Sequence, residues 1–346
     1  MRPDSPVFLA ISLAPWGRKP ALPGFTLDHR MLVVPNEASD NVSLVSLESL
    51  SVVGHVELPP NSRPWQAKVI PGSNPALAYV TNTRFSGDAS TSTRESSTVS
   101  VIDISRRQVV REIRVGAGAN GVTVDQRGRR GYVVNMRSDT VSVIDIARHE
   151  VIASLPVGRA PAFAKLSRDL DGRLLVVTNL HDASVTVIDT QRLEVLYTMP
   201  VGDAGRNDTY PEWGAGDTTG VAITEDGVAY LTNYRSHSLA VLDLSTRRLR
   251  RLDSPIRFPF FVEVERREHL VLFSSGIEKK FALLDARTEK WLGVYPSDGT
   301  MVPEGRGQLI NLWMTDPAND RLTAILPCGL AGISADWDRN MVTKFM

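Results

Sequence analysis

Arg84, Arg137, His181 and Arg235 share one recurring place in the chain: each stands two residues beyond an asparagine, namely Asn82, Asn135, Asn179 and Asn233. A guanidinium presents its N–H groups as a planar fork that fits a carboxylate or phosphate. Groups of this kind facing one cavity would hold an anionic ligand. Glu304 and His181 are the candidates for moving protons, because a carboxyl or imidazole among apolar and cationic neighbours has a shifted pKa. The segment from Asp203 to Asp217 adds Tyr210, Glu212 and Trp213, together with Arg206 and Asp208. Its aromatic residues point to an ordered loop. Trp65 and Phe260 could supply apolar walls. His181 and His237 are the weak candidates for metal ligands, with Asp182, Glu212 and Glu304 as partners of the type zinc or iron accepts. No HxxxH or HxH spacing supports them, so no metal site is assigned and a metal ion stays open. No cofactor is predicted.

Other chemistries find no footing. The chain lacks a Walker loop, a GxGxxG that opens a helix, and a GxSxG elbow. The run from Gly116 to Gly121, GAGANG, joins two strands and so lacks the helix N-terminus that would hold an anion. The single cysteine, Cys328, has no partner for a disulfide or a metal cage. Lys plus Arg and Asp plus Glu both total 39 in 346 residues, so no global field favours nucleic acid or an anionic membrane. No apolar run approaches 18 residues. The apolar run from Val7 to Ala14 follows only Arg2 and is broken at once by Pro15 and Trp16. It reads as a strand that helps close the fold, not as a signal peptide, and the expected location is cytoplasmic.

The elements that position these residues are repeats. A short apolar strand ends at Asn36, Asn82, Asn135, Asn179, Asn233, Ser275 and Asp316, at intervals of 41 to 54 residues. A second strand follows, as VSVIDI at 99–104 and 141–146 or VTVIDT at 185–190. Asp103, Asp145, Asp189, Asp243 and Asp285 hold one place in it, where an aspartate caps a turn. Segments opening at Pro23, Pro64, Asn120, Pro161, Thr219, Pro259 and Pro303 lead into each copy. A closing strand, as in VIASLPVG at 151–158, ends most copies. Alternating Val, Ile, Leu, Tyr and Thr between Gly, Pro, Asp and Asn mark strands, and helical spacing is absent over any long window. Four strands make a unit that cannot bury both faces alone, so the copies must stack around an axis.

On the strands AYVTN and LVVTN, the sequence resembles the YVTN-repeat propeller family over roughly residues 22–330. The resemblance implies an all-β, seven-bladed β-propeller of four-stranded antiparallel blades, closed by pairing of N- and C-terminal strands, as one domain over 1–346. The blades are expected near 22–59, 60–117, 118–158, 159–203, 217–254, 255–297 and 302–346, with residues 1–21 serving closure. The propeller also implies a top face, shared by the loops that lead into each innermost strand and those between second and third strands. The long insertions, Arg84 to Ser97 and Asp203 to Asp217, map there, as do the four cationic positions. One residue past each opening position stand Gly24, Trp65, Gly121, Ala162, Gly220, Phe260 and Glu304, with the small residues leaving space at the mouth of the channel.

Three functions fit this layout. The first is a small-molecule-binding protein whose top-face pocket takes a carboxylate-bearing ligand. The second is an enzyme, a lyase, hydrolase or cyclase, acting on such a molecule in the same pocket. The third is a protein-interaction scaffold. A monomer without nucleic-acid or membrane partners is expected.

Overall fold

A computed structural model describes residues 9–11, 21–26, 28, 30–46, 49, 51–83, 97–167, 172–203, 216–265, 270–275, 278, 280–296, 312–316, 321–325, 330–336 and 341–343. Within them every regular element is a strand, and six four-stranded antiparallel sheets follow one another along the chain. Their innermost strands are Gly24–Phe25, Pro64–Val69, Ala119–Val124, Pro161–Leu166, Thr218–Ile223 and Phe261–Glu265. In each sheet the strands pair in chain order, so the third sheet runs Ala119–Val124, Arg130–Asn135, Thr140–Asp145, Glu150–Pro156. A further sheet takes Leu9–Ile11 from one end of the chain and pairs it with Leu330–Asp336 from the other. The terminal strands therefore meet, as the sequence suggests.

Burial follows from this stacking. The second and third strands lie between neighbouring sheets and are covered on both faces; Leu174–Asn179 and Ser184–Asp189 are buried throughout. The closing strand Glu194–Pro200 alternates between exposed and half-buried because it forms the rim. The apolar core is accordingly divided into wedges. One joins Tyr79, Val99 and Val101 of the second sheet to Val122, Val133 and Ile144 of the third. Another joins Val176, Val185 and Val187 of the fourth to Val221, Leu231 and Leu242 of the fifth.

The polar residues of the repeat hold these wedges in register. The asparagine is buried and ties the second strand to the third: Asn82 Nδ2 donates to Thr98 Oγ1 at 2.9 Å and to Ser100 Oγ at 2.8 Å. Asn135 and Asn179 repeat the pattern. The preceding threonine joins one sheet to the next. The hydroxyls of Thr81, Thr178 and Thr232 donate to the carbonyls of Asn120, Thr219 and Phe260. In the third sheet Val134 stands at this place and has no hydroxyl. There Asn120 Nδ2 reaches the Ala162 carbonyl instead, at 3.0 Å. The repeated aspartate caps its turn as expected: Asp243 Oδ1 accepts the N–H groups of Ser245 and Thr246. Those bonds, led by the Thr246 N–H, hold its pKa at about 2.

Candidate functional site

The register places the start of each innermost strand beside the end of the second strand: Pro64 faces Asn82, Ala119 faces Asn135, Pro161 faces Asn179 and Thr218 faces Asn233. That shared end is the top face. Each pair is followed by a register shift, a bulge that re-aims the residues between. The pairing corrects the sequence alignment in three sheets. The residues equivalent to Trp65, Ala162 and Phe260 are Asn120 and Thr219, not Gly121 and Gly220. In the first sheet, Leu22 bridges Gln66, which puts Ala21 rather than Gly24 at that place. Nor do these glycines leave space. A Cβ on Gly220 would lie 2.6 Å from the Phe260 oxygen, and one on Gly24 2.9 Å from the Ala67 oxygen. They let the backbones of neighbouring sheets approach.

Arg137, His181 and Arg235 lie on the top-face turns. The N–H of Arg137 donates to the Ala117 oxygen and that of His181 to the Arg159 oxygen. The N–H of Arg235 donates to Asp217 Oδ1 at 2.8 Å. Burial pushes the Arg137 guanidinium below its ordinary pKa. Its stem lies against Gly118, whose φ of 69° suits only glycine at low cost. Trp65 and Phe260 are half-buried at the start of their strands. Arg84, Tyr210, Glu212, Trp213 and Glu304 lie outside the described residues.

One apolar belt runs beneath these turns. Met136, next to Arg137, and Leu180, next to His181, pack with Ala160, Ala162 and Phe163. The Phe163 ring meets Phe260 at 6.2 Å and Phe261 at 5.5 Å, edge to face. Phe260 in turn meets Tyr234, the neighbour of Arg235, at 5.7 Å. Phe163 belongs to the fourth sheet and Phe261 to the sixth. They meet across the fifth because Gly220 stands at their level there. Two residues further along the same strands, Lys165 Nζ lies 3.0 Å from Glu263 Oε2. The fifth sheet has Ala222 at that level. An ion pair thus underlies the aromatic cluster. Phe163, Phe261, Tyr234, Lys165 and Glu263 escaped the sequence reading. The signal for the last two was a charge within the innermost strands PAFAKL and FVEVE.

Several top-face polar groups are already committed. His237 Nδ1 accepts the Phe258 N–H at 3.1 Å, with the two rings 4.4 Å apart. His237 is four residues past its asparagine and His181 two, so the two do not hold equivalent places. Asp182 accepts both the N–H and the guanidinium of Arg159. Partial burial works to raise its pKa, but these bonds hold the carboxyl below its ordinary range. Asp217, fully buried, gathers the N–H groups of Asp203, Arg235 and Ser236. It bounds the long insertion and was missed as the residue that anchors its far end. Among the described residues no cluster of three metal-ligating side chains occurs. In the GAGANG run, the Gly118 N–H is taken by Ser97 Oγ at 2.9 Å.

A model described as a YNCE-like β-propeller matches residues 53–210. The fold is a β-propeller, and this match, over less than half of the chain, agrees with the YVTN type. A search of curated proteins finds no match. Among solved structures, the propeller is similar to streptogramin B lyase, with a TM-score of 0.69 at 12% identity over 94% of this chain and 96% of that one. A catalytically inactive virginiamycin B lyase from Staphylococcus aureus with quinupristin gives 0.69 at 11% identity, covering 94% and 97%. Kuenenia stuttgartiensis hydrazine synthase gives 0.64 at 17%, covering 94% of each chain. At these identities the likeness is one of fold, and the propeller's own residues must carry its function.

Proposed function

We propose that this propeller binds a small organic acid in a cup on its top face. The belt through Phe163, Phe260 and Tyr234 forms the floor, and Arg137 and Arg235 contact the carboxylate from the turns above. The supporting observation is that Arg137, His181 and Arg235 each follow a residue of this one belt. An aromatic floor beside guanidinium groups suits a ligand that is apolar at one end and anionic at the other. We also infer that the sheet joining the two chain ends is the seventh blade.

Calorimetric titration with benzoate, phenylacetate and acetate tests this reading. The aromatic acids should bind more tightly than acetate. Tyr234→Ala should weaken the aromatic acids, and Arg235→Gln should weaken all three. Failure of all three acids to bind rejects the reading in favour of the protein-interaction scaffold. Two of the structural neighbours are lyases, which supports a second reading in which the bound acid is also cleaved. Mass spectrometry of the ligand after incubation separates binding from turnover.

A further inference from the structure

The opposite face carries a second feature, at the junction of the fifth and sixth sheets. The tyrosine of the repeat occurs three times, as Tyr79, Tyr132 and Tyr230, and all three are buried. In the second sheet the Tyr79 hydroxyl meets His149 Nδ1 of the next sheet at 2.9 Å. In the third, the side chains of Arg130 and Thr190 lie beside the Tyr132 hydroxyl. In the fifth, Tyr230 is 1% exposed, and among the described residues its hydroxyl has no hydrogen-bond partner. It lines a cleft of about 350 Å³ instead, with Asp226 and Arg250 of its own sheet and Arg287, Thr288 and Glu289 of the sixth. That volume falls at the lower end of the roughly 300–1,000 Å³ usual for small-molecule sites. The residue is buried but its hydroxyl opens onto the cleft, where it is placed to meet what enters.

The cleft has a local origin. The outer strands of the first, second, third, fourth and sixth sheets carry a bulge where they pair with the third strand. The bulged residues are Val53, Val110, Ile152, Leu196 and Leu292, and all are exposed apolar side chains. The fifth sheet pairs Val241 with Arg250 and Leu242 with Leu249 without a shift. Arg250, the partner of Val241, forms an ion pair with Glu289 across the junction. The lining then carries two carboxylates, Asp226 and Glu289, and two guanidiniums, Arg250 and Arg287. Opposite charges balance, so no net field selects an ion.

We propose that this cleft binds a neutral polyhydroxylated molecule of monosaccharide size, with the Tyr230 hydroxyl as its buried contact. The site is separate from the top-face cup, and either can stand without the other. Saturation-transfer NMR on the full chain with D-glucose, D-galactose and myo-inositol tests it. At least one probe should receive transfer, and Tyr230→Phe should weaken that probe about fivefold, the worth of one hydrogen bond. Tyr230→Phe removes only an oxygen that has no partner among the described residues, so its melting temperature should match that of the parent. Asp226→Ala, on an exposed turn, is a second variant that should weaken the same probe. Transfer to none of the three probes overturns the proposal. So does transfer unaffected by both substitutions.

Discussion

Lys165 and Glu263 form an ion pair at 3.0 Å although a whole sheet of the propeller lies between theirs in the chain. The pair fastens the fourth sheet to the sixth directly, beneath Phe163 and Phe261. Side-chain exposures of 40% for Lys165 and 17% for Glu263 leave it partly screened by solvent. A double-mutant cycle with Lys165→Met and Glu263→Gln should therefore give a coupling of about 0.5–1 kcal/mol in urea unfolding. A coupling indistinguishable from zero would show that the contact does not persist in solution.

The hydroxyl links between sheets make a second prediction. Thr178 accepts the Phe163 N–H and donates to the Thr219 oxygen. Thr178→Val leaves both groups unpaired and should cost about 1–3 kcal/mol. In the third sheet the same service comes from Asn120, because Val134 lacks a hydroxyl. Asn120→Ala should destabilise by a similar amount, and adding Val134→Thr should recover part of the loss. If Val134→Thr is without effect in the Asn120→Ala background, the two residues do not serve one purpose.

Gly220 tests the crossing at the axis. Its missing side chain allows the Phe260 backbone to approach, and a Cβ would sit 2.6 Å from the Phe260 oxygen and 2.9 Å from Thr232 Oγ1. Gly220→Ala should lower stability by about 1–3 kcal/mol through overpacking. It should also displace the Phe163–Phe261 contact, visible as a change in near-ultraviolet circular dichroism. Thermal melting at or above the parent value would contradict this account.

The Tyr79–His149 contact carries a pH dependence. Burial, with the positive charge of Arg111 beside it, pushes the His149 imidazole below its ordinary pKa of 6.5, against an opposing pull from Asp145. The folded chain therefore disfavours the protonated ring that the unfolded chain accepts below 6.5. This contribution to stability is complete above pH 6.5 and declines as the pH falls through the lowered value. His149→Phe should flatten that part of the stability profile. A His149 titration by NMR at or above 6.5 would rule the effect out.

Much of this was legible along the chain because the repeat states each local role several times. The aspartate turn is written five times, and Asp243 and Asp285 cap their turns as the pattern requires. Strand pairing and the meeting of the chain ends follow from alternation and from the need to cover sheet edges. The cationic position after the asparagine was also visible. The innermost strands were harder. A bulge inserts residues that periodicity cannot count, so Asn120 and Thr219, rather than Gly121 and Gly220, hold the place of Trp65.

The sequence by itself determined the sheets, their order and the aspartate turns, since these are contacts within a repeat or between adjacent repeats. Only the tertiary structure decided what meets across the axis. Phe163 touches Phe261, and Lys165 touches Glu263, because Gly220 and Ala222 leave the intervening sheet without bulk at those two levels. Likewise, the cleft at Tyr230 lies where the outer strand of the fifth sheet pairs without the bulge that five other sheets carry. Such features depend on what another repeat omits at the same height, and an omission carries no pattern of its own.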